Sequence, residues 1–309
     1  MSEPAKALNQ LRALIDAIPL TALVLALALW WMGWPGIANS DGEIPPLEPV
    51  QAQSVEKLEG IFSQAGYFWP ARQVPPLTLK AFPDDMGEAP SEQRKALFFR
   101  ALMPLVLAEN ERIRRQRHQL HQALSESLPE QRRKNILNRL AEDYRVDGPP
   151  LAAETWQTLE RRIDTVPAAL ALAQAAKESG WGTSRFAREA NNLFGEWTWD
   201  ASQGLKPLDR PEDADHYVQV FDNLRDSVRS YLQNLNSHPA YERFRRIRAQ
   251  ARSEDRAMTP AEMTAGLESY SQRGMAYVEE VREMIRANRL HRLATNTTLA
   301  RKSERVALR

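Results

Sequence analysis

Glu178 stands within the run Ala173-Gln-Ala-Ala-Lys-Glu-Ser-Gly-Trp-Gly182. A lone glutamate near a helix end is ordinarily a solvated surface group. Here two glycines frame an aromatic directly after it, and a second Gly-ended aromatic segment, Asn191-Asn-Leu-Phe-Gly195, follows. The C-terminal end of a helix carries partial negative charge, which disfavours an ionised carboxylate beside it. Flanking Trp181 adds desolvation. Both effects predict a raised carboxyl pKa, the property a general acid needs near neutral pH. On a helix Glu178 shares a face with Ala171, Gln174 and Ala175, a small, flat face open to close approach by a polymer. Further on, Trp197 and Trp199 alternate with Glu196, Thr198 and Asp200, which on a strand puts both indoles on one face. Aromatic platforms of this kind suit the C–H faces of sugar rings, and packing under a hairpin is their alternative use.

Other chemistries lack their residues. The chain has no cysteine, so disulfides, thiolate metal sites and a Cys nucleophile are excluded. There is no HExxH, GxSxG or P-loop. His118 and His121 stand three apart on a helix with no third ligand nearby and read as a solvated face. No metal or other cofactor is expected. Ser54 and Lys57 have the spacing of a Ser/Lys pair but lie in a spacer. With 41 basic and 40 acidic residues nothing draws the chain toward nucleic acid. All but 8 of the 41 basic residues are arginine, read as compositional bias. Two arginine clusters (112, 114, 115, 117 and 243, 245, 246, 248, 252) read as solvated helix faces, with pairing to carboxylates or lipid headgroups as the alternative.

The elements that must position Glu178 are mostly helical. Composition, 43% hydrophobic and 26% charged, is that of a globular chain. No charge occurs between Asp16 and Asp41, and residues 19–38 are apolar throughout, long enough for a bilayer core of ~30 Å. Trp30, Trp31 and Trp34 suit the headgroup zone, and Lys6 and Arg12 precede the span, which predicts residues 1–18 in the cytoplasm and the rest outside it. A signal peptide cut after Ala38 and a buried core helix are the alternatives. Residues 39–54 read as an extended linker. Helices are expected from Ser91 to about Ser125, with an apolar stripe through Leu97, Phe98, Leu102, Leu105, Val106, Asn110 and Ile113, then over 131–144, 153–163, 168–179 and about 276–288. Thr259-Pro260-Ala261-Glu262 is a capping box. Strands 196–200 and 216–221 predict a hairpin around a polar loop, and the tail beyond Arg292 reads as polar, basic and mobile.

The segments ESGWG and NNLFG resemble the glucosaminidase family of bacterial autolysins, glycoside hydrolase family seventy-three. The stretches from Phe98 to Asn110 with Arg114 and Arg117, Asn234 to Tyr241, Phe244 to Arg248 and Tyr270 to Gly274 resemble its bacterial Bax-like members, which are membrane-associated or periplasmic. The resemblance implies a mainly α (α+β) chain: a lysozyme-like catalytic lobe with a small β-hairpin over residues 151–292, a helical accessory region over 55–150, one N-terminal transmembrane helix, and a basic tail over 293–309. It implies peptidoglycan glycan strands as substrate, cut at the β-1,4 bond after N-acetylglucosamine, with the bilayer and a protein regulator as further partners. Position by position, Glu178 matches the catalytic acid and Tyr270 the functional tyrosine, with Tyr277 as a weaker candidate. Asn192 and Phe194 belong to the loop that shapes the cleft, and Trp181 becomes its wall. A second carboxylate is expected on the hairpin. Glu196 and Asp200 share a strand face there, and Asp209, Glu212, Asp213 and Asp215 follow; substrate assistance by the acetamido group is the alternative. Three other functions remain open: a lytic transglycosylase, a silent wall-binding or scaffold protein, and an adaptor whose helices at 91–163 recruit a partner.

Overall fold

A computed structural model describes residues 47–125, 127–208, 215–292 and 297–300. Residues 1–18 and the expected membrane segment 19–38 lie outside these, as do Asp209, Glu212 and Asp213. Among the described residues no helix is long and apolar enough to cross a membrane.

The described chain is mainly helical with small strand pairs. Helix α1 (Val55–Gln64) precedes α2 (Ser91–Leu124), around which the rest is built. Then come α3 (Glu130–Asp143), α4 (Ala153–Arg162), α5 (Ala168–Ser179), α6 (Arg185–Glu189), α7 (Leu224–Ser237), α8 (Glu242–Ser253), α9 (Pro260–Thr264) and α10 (Met275–Ala287). The capping box at Thr259 and Glu262 opens α9. One hydrophobic cluster runs from Leu58 to Leu290, so the helices before residue 150 and those after it share a core.

The apolar stripe expected on α2 is wider than its spacing suggests. Residues 97–110 are buried on every side, because α3, α4, α5 and α7 all pack against this helix. Charged groups inside that stretch must therefore be paired. Arg100 donates to the Tyr67 carbonyl at 3.1 Å and meets Glu59 at 2.6 Å. Glu109, 0% exposed, takes Arg112 at 2.8 Å from its own helix, and Arg225 at 2.6 Å and Arg229 at 3.1 Å from α7. Burial alone would raise the Glu109 pKa, but the three guanidiniums overcome it and hold it at about 2.

The arginine clusters are not simply solvated. Arg112, Arg245 and Arg248 are buried. Arg117 donates to the Glu160 and Ile163 carbonyls, and Arg248 to those of Arg161, Asp164 and Thr165, all at the end of α4. Arg162 serves Tyr144 and Arg145 after α3, and Arg245 serves Leu235 and His238 around the end of α7. The last carbonyls of a helix lack intrahelical donors, and a planar guanidinium reaches two or three at once while complementing the helix dipole. The arginine excess thus has a structural use.

Both expected flexible ends are partly pinned. Strand β1 (Glu48–Val50) pairs in parallel with β3 (Leu77–Leu79), so backbone pairing holds part of the linker 39–54. Ser54 is the N-cap of α1, its Oγ accepting from Lys57 N at 3.2 Å. Strand β2 (Gln73–Val74) pairs in parallel with β7 (Thr298–Leu299), which ties down part of the basic tail. The hairpin carries a third strand: β4 (Trp197–Thr198) and β5 (Gly204–Leu205) flank β6 (Tyr217–Gln219) on either side, both antiparallel. Gly204 makes this contact fit, since a Cβ there would lie 2.3 Å from the Tyr217 Cβ.

Glu109→Gln should cost about 3–5 kcal/mol, because three guanidiniums would then share a neutral amide in a buried site. Urea unfolding at neutral pH measures it.

Candidate active site

Helix α5 is Ala-rich, and its small side chains let it sit between α2 and α10. The face expected to lie open to a polymer is closed: Ala171 and Gln174 are 0% exposed and Ala175 is 1%. Only Lys177 and Glu178, in the last turn, emerge. Gly180 ends the helix in the left-handed conformation, and Trp181 (φ 63) and Gly182 (φ 79) continue it. Ser179 stitches the turn, its Oγ donating to the Ala175 carbonyl and accepting from Gly182 N at 2.9 Å. A left-handed tryptophan is uncommon, and it carries the indole away onto α2. The ring sits edge-on to Phe98 at 5.8 Å and Phe99 at 5.3 Å. Trp181 is therefore an anchor of the turn on the accessory region. A side chain at 182 would meet the Phe82 ring at 2.8 Å, which explains the second glycine of the motif.

Glu178 is half-buried, and burial pushes its pKa up. The Tyr277 hydroxyl and the nearby Lys177 ammonium pull it partly back, and the net direction is upward. Burial supplies the effect that the helix end and Trp181 were expected to supply. Among the described residues Oε1 is buried without a hydrogen-bond partner. Tyr277 is 2% exposed, accepts from Gln174 Nε2 at 2.8 Å, and stacks on Tyr270 with centroids 5.3 Å apart. The Tyr270 hydroxyl donates to the Phe194 carbonyl at 3.0 Å. The tyrosine whose hydroxyl acts on the acidity of Glu178 is thus Tyr277, in the first turn of α10, which packs on α5. Tyr270 precedes that helix and clasps the Asn-Leu-Phe-Gly loop instead.

That loop is held from within. Asn192 is 2% exposed, and its Nδ2 donates to the Glu196 carbonyl at 2.8 Å and the Gln219 carbonyl at 2.9 Å. Its Oδ1 accepts from Glu196 N at 3.0 Å, so Asn192 braces the loop and does not face a ligand. The Phe194 ring, 2% exposed, stacks on Tyr231 at 3.9 Å and belongs to the core.

Of the hairpin carboxylates, Glu196 turns inward and is 8% exposed. Ser230 Oγ donates to its Oε2, and its Oε1 is buried with no partner among the described residues. Burial pushes its pKa up to about 7 against the opposing pulls of Ser230 and Arg145. Tyr231 lies within electrostatic reach of both Glu178 and Glu196. Asp200 does not share the Glu196 face, because β4 ends at Thr198. It is exposed, and its Oδ1 caps a short turn, accepting from Ser202 N at 2.9 Å and Ser202 Oγ at 2.6 Å. Trp197 is 42% exposed, edge-on to His216 at 4.6 Å, and Trp199, just past the end of β4, is half-buried. Asp215 is exposed.

Ser230 and Tyr231 carry no site signal in the sequence, and Gln174 is legible there only as part of the face of Glu178. The one legible signal was Gln174, a lone amide in an alanine run one helical turn before Glu178. Tyr231 reads as one more core residue on the apolar face of α7.

The family model described as glucosaminidase, mannosyl-glycoprotein endo-beta-N-acetylglucosaminidase, matches residues 153–290. Protein bax of Escherichia coli (strain K12) is 36% identical over 197 residues, 62% of this chain and 69% of that protein. The catalytic domain of the autolysin Auto from Listeria monocytogenes superposes with a TM-score of 0.37 at 15% identity, covering 66% of this chain and 89% of its own.

Glu196 links pH to stability. A folded-state pKa near 7, above the ordinary 4.5, means that folding takes up a proton. The resulting stability is fully present below pH 4.5 and lost as pH rises through 7, on the order of 3 kcal/mol across that window. Glu196→Gln should therefore flatten the fall in thermal midpoint between pH 4.5 and 8 and leave the variant the more stable at pH 8, as scanning calorimetry at several pH values would show.

Proposed function

Since the chain belongs to the glucosaminidase family, glycoside hydrolase family seventy-three, as a Bax-like member, we propose that it hydrolyses peptidoglycan at the β-1,4 bond after N-acetylglucosamine, with Glu178 as general acid. The observation that carries this reading is the state of Glu178. It stands at the emergent end of an otherwise buried helix, its acidity is reduced by burial, and it keeps one carboxyl oxygen without a partner. A carboxyl that burial makes a weaker acid holds its proton more readily and can deliver it to the glycosidic oxygen as the bond to the leaving sugar breaks.

Glu196 is the hairpin carboxylate whose burial and setting suit the second role. Its Oε2 is fixed by Ser230, and Arg145 favours its ionised form as positive charge develops on the sugar. Exposed Trp197 offers a stacking face at the sheet edge. Tyr270, through the Phe194 carbonyl, holds the loop between the two carboxylates. In this reading residues 19–38 anchor the chain in a bilayer, with the catalytic lobe on the far side from the cytoplasm.

Digestion of purified peptidoglycan followed by mass spectrometry tests the assignment. The expected products end in reducing N-acetylglucosamine, and Glu178→Gln should lower their yield by about 10²–10⁴ with an unchanged thermal midpoint. Anhydromuramic ends would move the enzyme to the transglycosylase class. Wall binding without products from either form would favour a silent binding protein.

A further inference from the structure

We propose that Lys177 and Arg273, gathered around Glu280 at the rim of Glu178, form a subsite for a carboxylate carried on the lactyl arm of the leaving muramyl sugar. The proposal rests on the reading of Glu178 as the acid in a cut after N-acetylglucosamine.

Lys177 emerges with Glu178 from the last turn of α5 and directly precedes it. Its ammonium bonds Glu280 on α10 and lies 5.7 Å from the centre of the Tyr277 ring. Arg273 meets the same carboxylate from the turn ahead of α10, where Gly274 N closes on the Ser271 carbonyl at 3.0 Å. One terminal nitrogen of Arg273 donates to Glu280 Oε2 at 2.9 Å and the other to Oε1. Two cations from separate elements thus share one carboxylate.

Neither charge nor donors are used up there. The neighbouring pairs on α10, Arg282 with Glu279 and Arg286 with Glu283, set one cation against one anion. At Glu280 two positive charges face one negative charge, and Glu178 in its acid form adds none. A guanidinium carries five N–H donors, and the fork on Glu280 takes one from each terminal nitrogen. The Nε edge of Arg273 has no partner among the described residues, and it offers the planar geometry that a second carboxylate fits. The Arg273 side chain is 57% exposed, so a ligand reaches that edge with Glu280 still in place. Glu280 meanwhile holds the guanidinium, and less side-chain freedom is lost on binding.

The chemistry of the bond indicates which carboxylate arrives. In a cut after N-acetylglucosamine the proton of Glu178 goes to the O4 oxygen of the leaving muramyl sugar. The adjacent ring carbon carries the lactyl ether of that sugar. The arm ends in a carboxylate of its own or, where a peptide stem is attached, leads to the carboxylates of the stem. A cationic rim one residue from the acid stands beside the position from which this arm projects. A neutral chain of N-acetylglucosamine has the same bond and no such group.

Soluble glycan strands test this in three forms: peptide-bearing, stripped to the free lactyl carboxylate, and a neutral N-acetylglucosamine oligomer. With the Glu178→Gln chain, calorimetric titration at low salt should show acidic strands bound about tenfold more tightly than the neutral oligomer. Arg273→Gln should remove most of that margin and leave the Kd of the neutral oligomer unchanged, and added salt should narrow the margin. In the active chain Arg273→Gln should raise KM for acidic strands by about the same factor with kcat retained. A loss confined to peptide-bearing strands assigns the ligand to the stem, and a loss on both acidic forms assigns it to the lactyl carboxylate. Equal weakening for all three glycans, the mark of a residue that only braces the turn, would overturn the proposal, as would the absence of any margin before Arg273 is changed. The titration needs no turnover, so it reads the subsite separately from the catalytic assignment. Should Arg273→Gln disturb the turn, Lys177→Gln applies the same test from α5.

Discussion

A carboxylate buried in the middle of α2 sets the terms for the rest of the molecule. Glu109 has no route to water, so its charge must be met by protein, and two of its three guanidiniums come from α7. Leaving such a charge unpaired is far costlier than any single apolar contact, so α2 and α7 have one mutual arrangement. Helix α7 also carries Ser230, which bonds Glu196, and Tyr231, which bonds Gln174 one turn before Glu178. One residue from Glu109, Asn110 donates to the Val166 carbonyl at 2.8 Å and accepts from Val166 N at 3.0 Å, fixing the entry to α5. Trp181 clasps the exit from that helix onto the same α2. The helices before residue 150 thus hold both ends of the element that bears Glu178.

The two carboxylates reach weak acidity by different means. Glu178 leaves the end of a helix into partial burial, with Tyr277 opposing the shift. Glu196 is almost wholly enclosed beneath a short sheet, with Ser230 and Arg145 opposing a larger one. The loop between them is stiffened by Asn192 from within and by Tyr270 from outside. Their relative position therefore depends on hydrogen bonds to backbone more than on their own contacts.

Much of this was legible in the sequence. Periodicity and caps located α2, α3, α4, α5 and α10 to within a residue or two, and the glycines after Glu178 marked a turn that admits no side chain at 182. What failed was the inference of exposure. A face of alanines on α5 reads equally as an open platform or as a tight helix–helix contact, and only its neighbours decide. Arginine reads as surface by type, yet several here are buried because helix ends supply carbonyls to bond. Alternation predicted a strand from 196 to 200, but pairing with β6 stops at Thr198, and Asp200 serves a turn. Which tyrosine acts on the acidity of Glu178 is beyond spacing altogether, since it depends on how α10 lies across α5.

The parallel pair β2–β7 brings together segments far apart in sequence: Thr297 bonds the Ala71 carbonyl across 226 residues. No local contact can stand in for that pairing, so β7 closes only after the intervening helices have packed and brought its site within reach. Until then β2 presents an unpaired edge to other chains. The order in which this protein completes itself is therefore written into its strand pairing: the helical body first, the seam last, with the interval between them the stage at which association of partly folded chains competes.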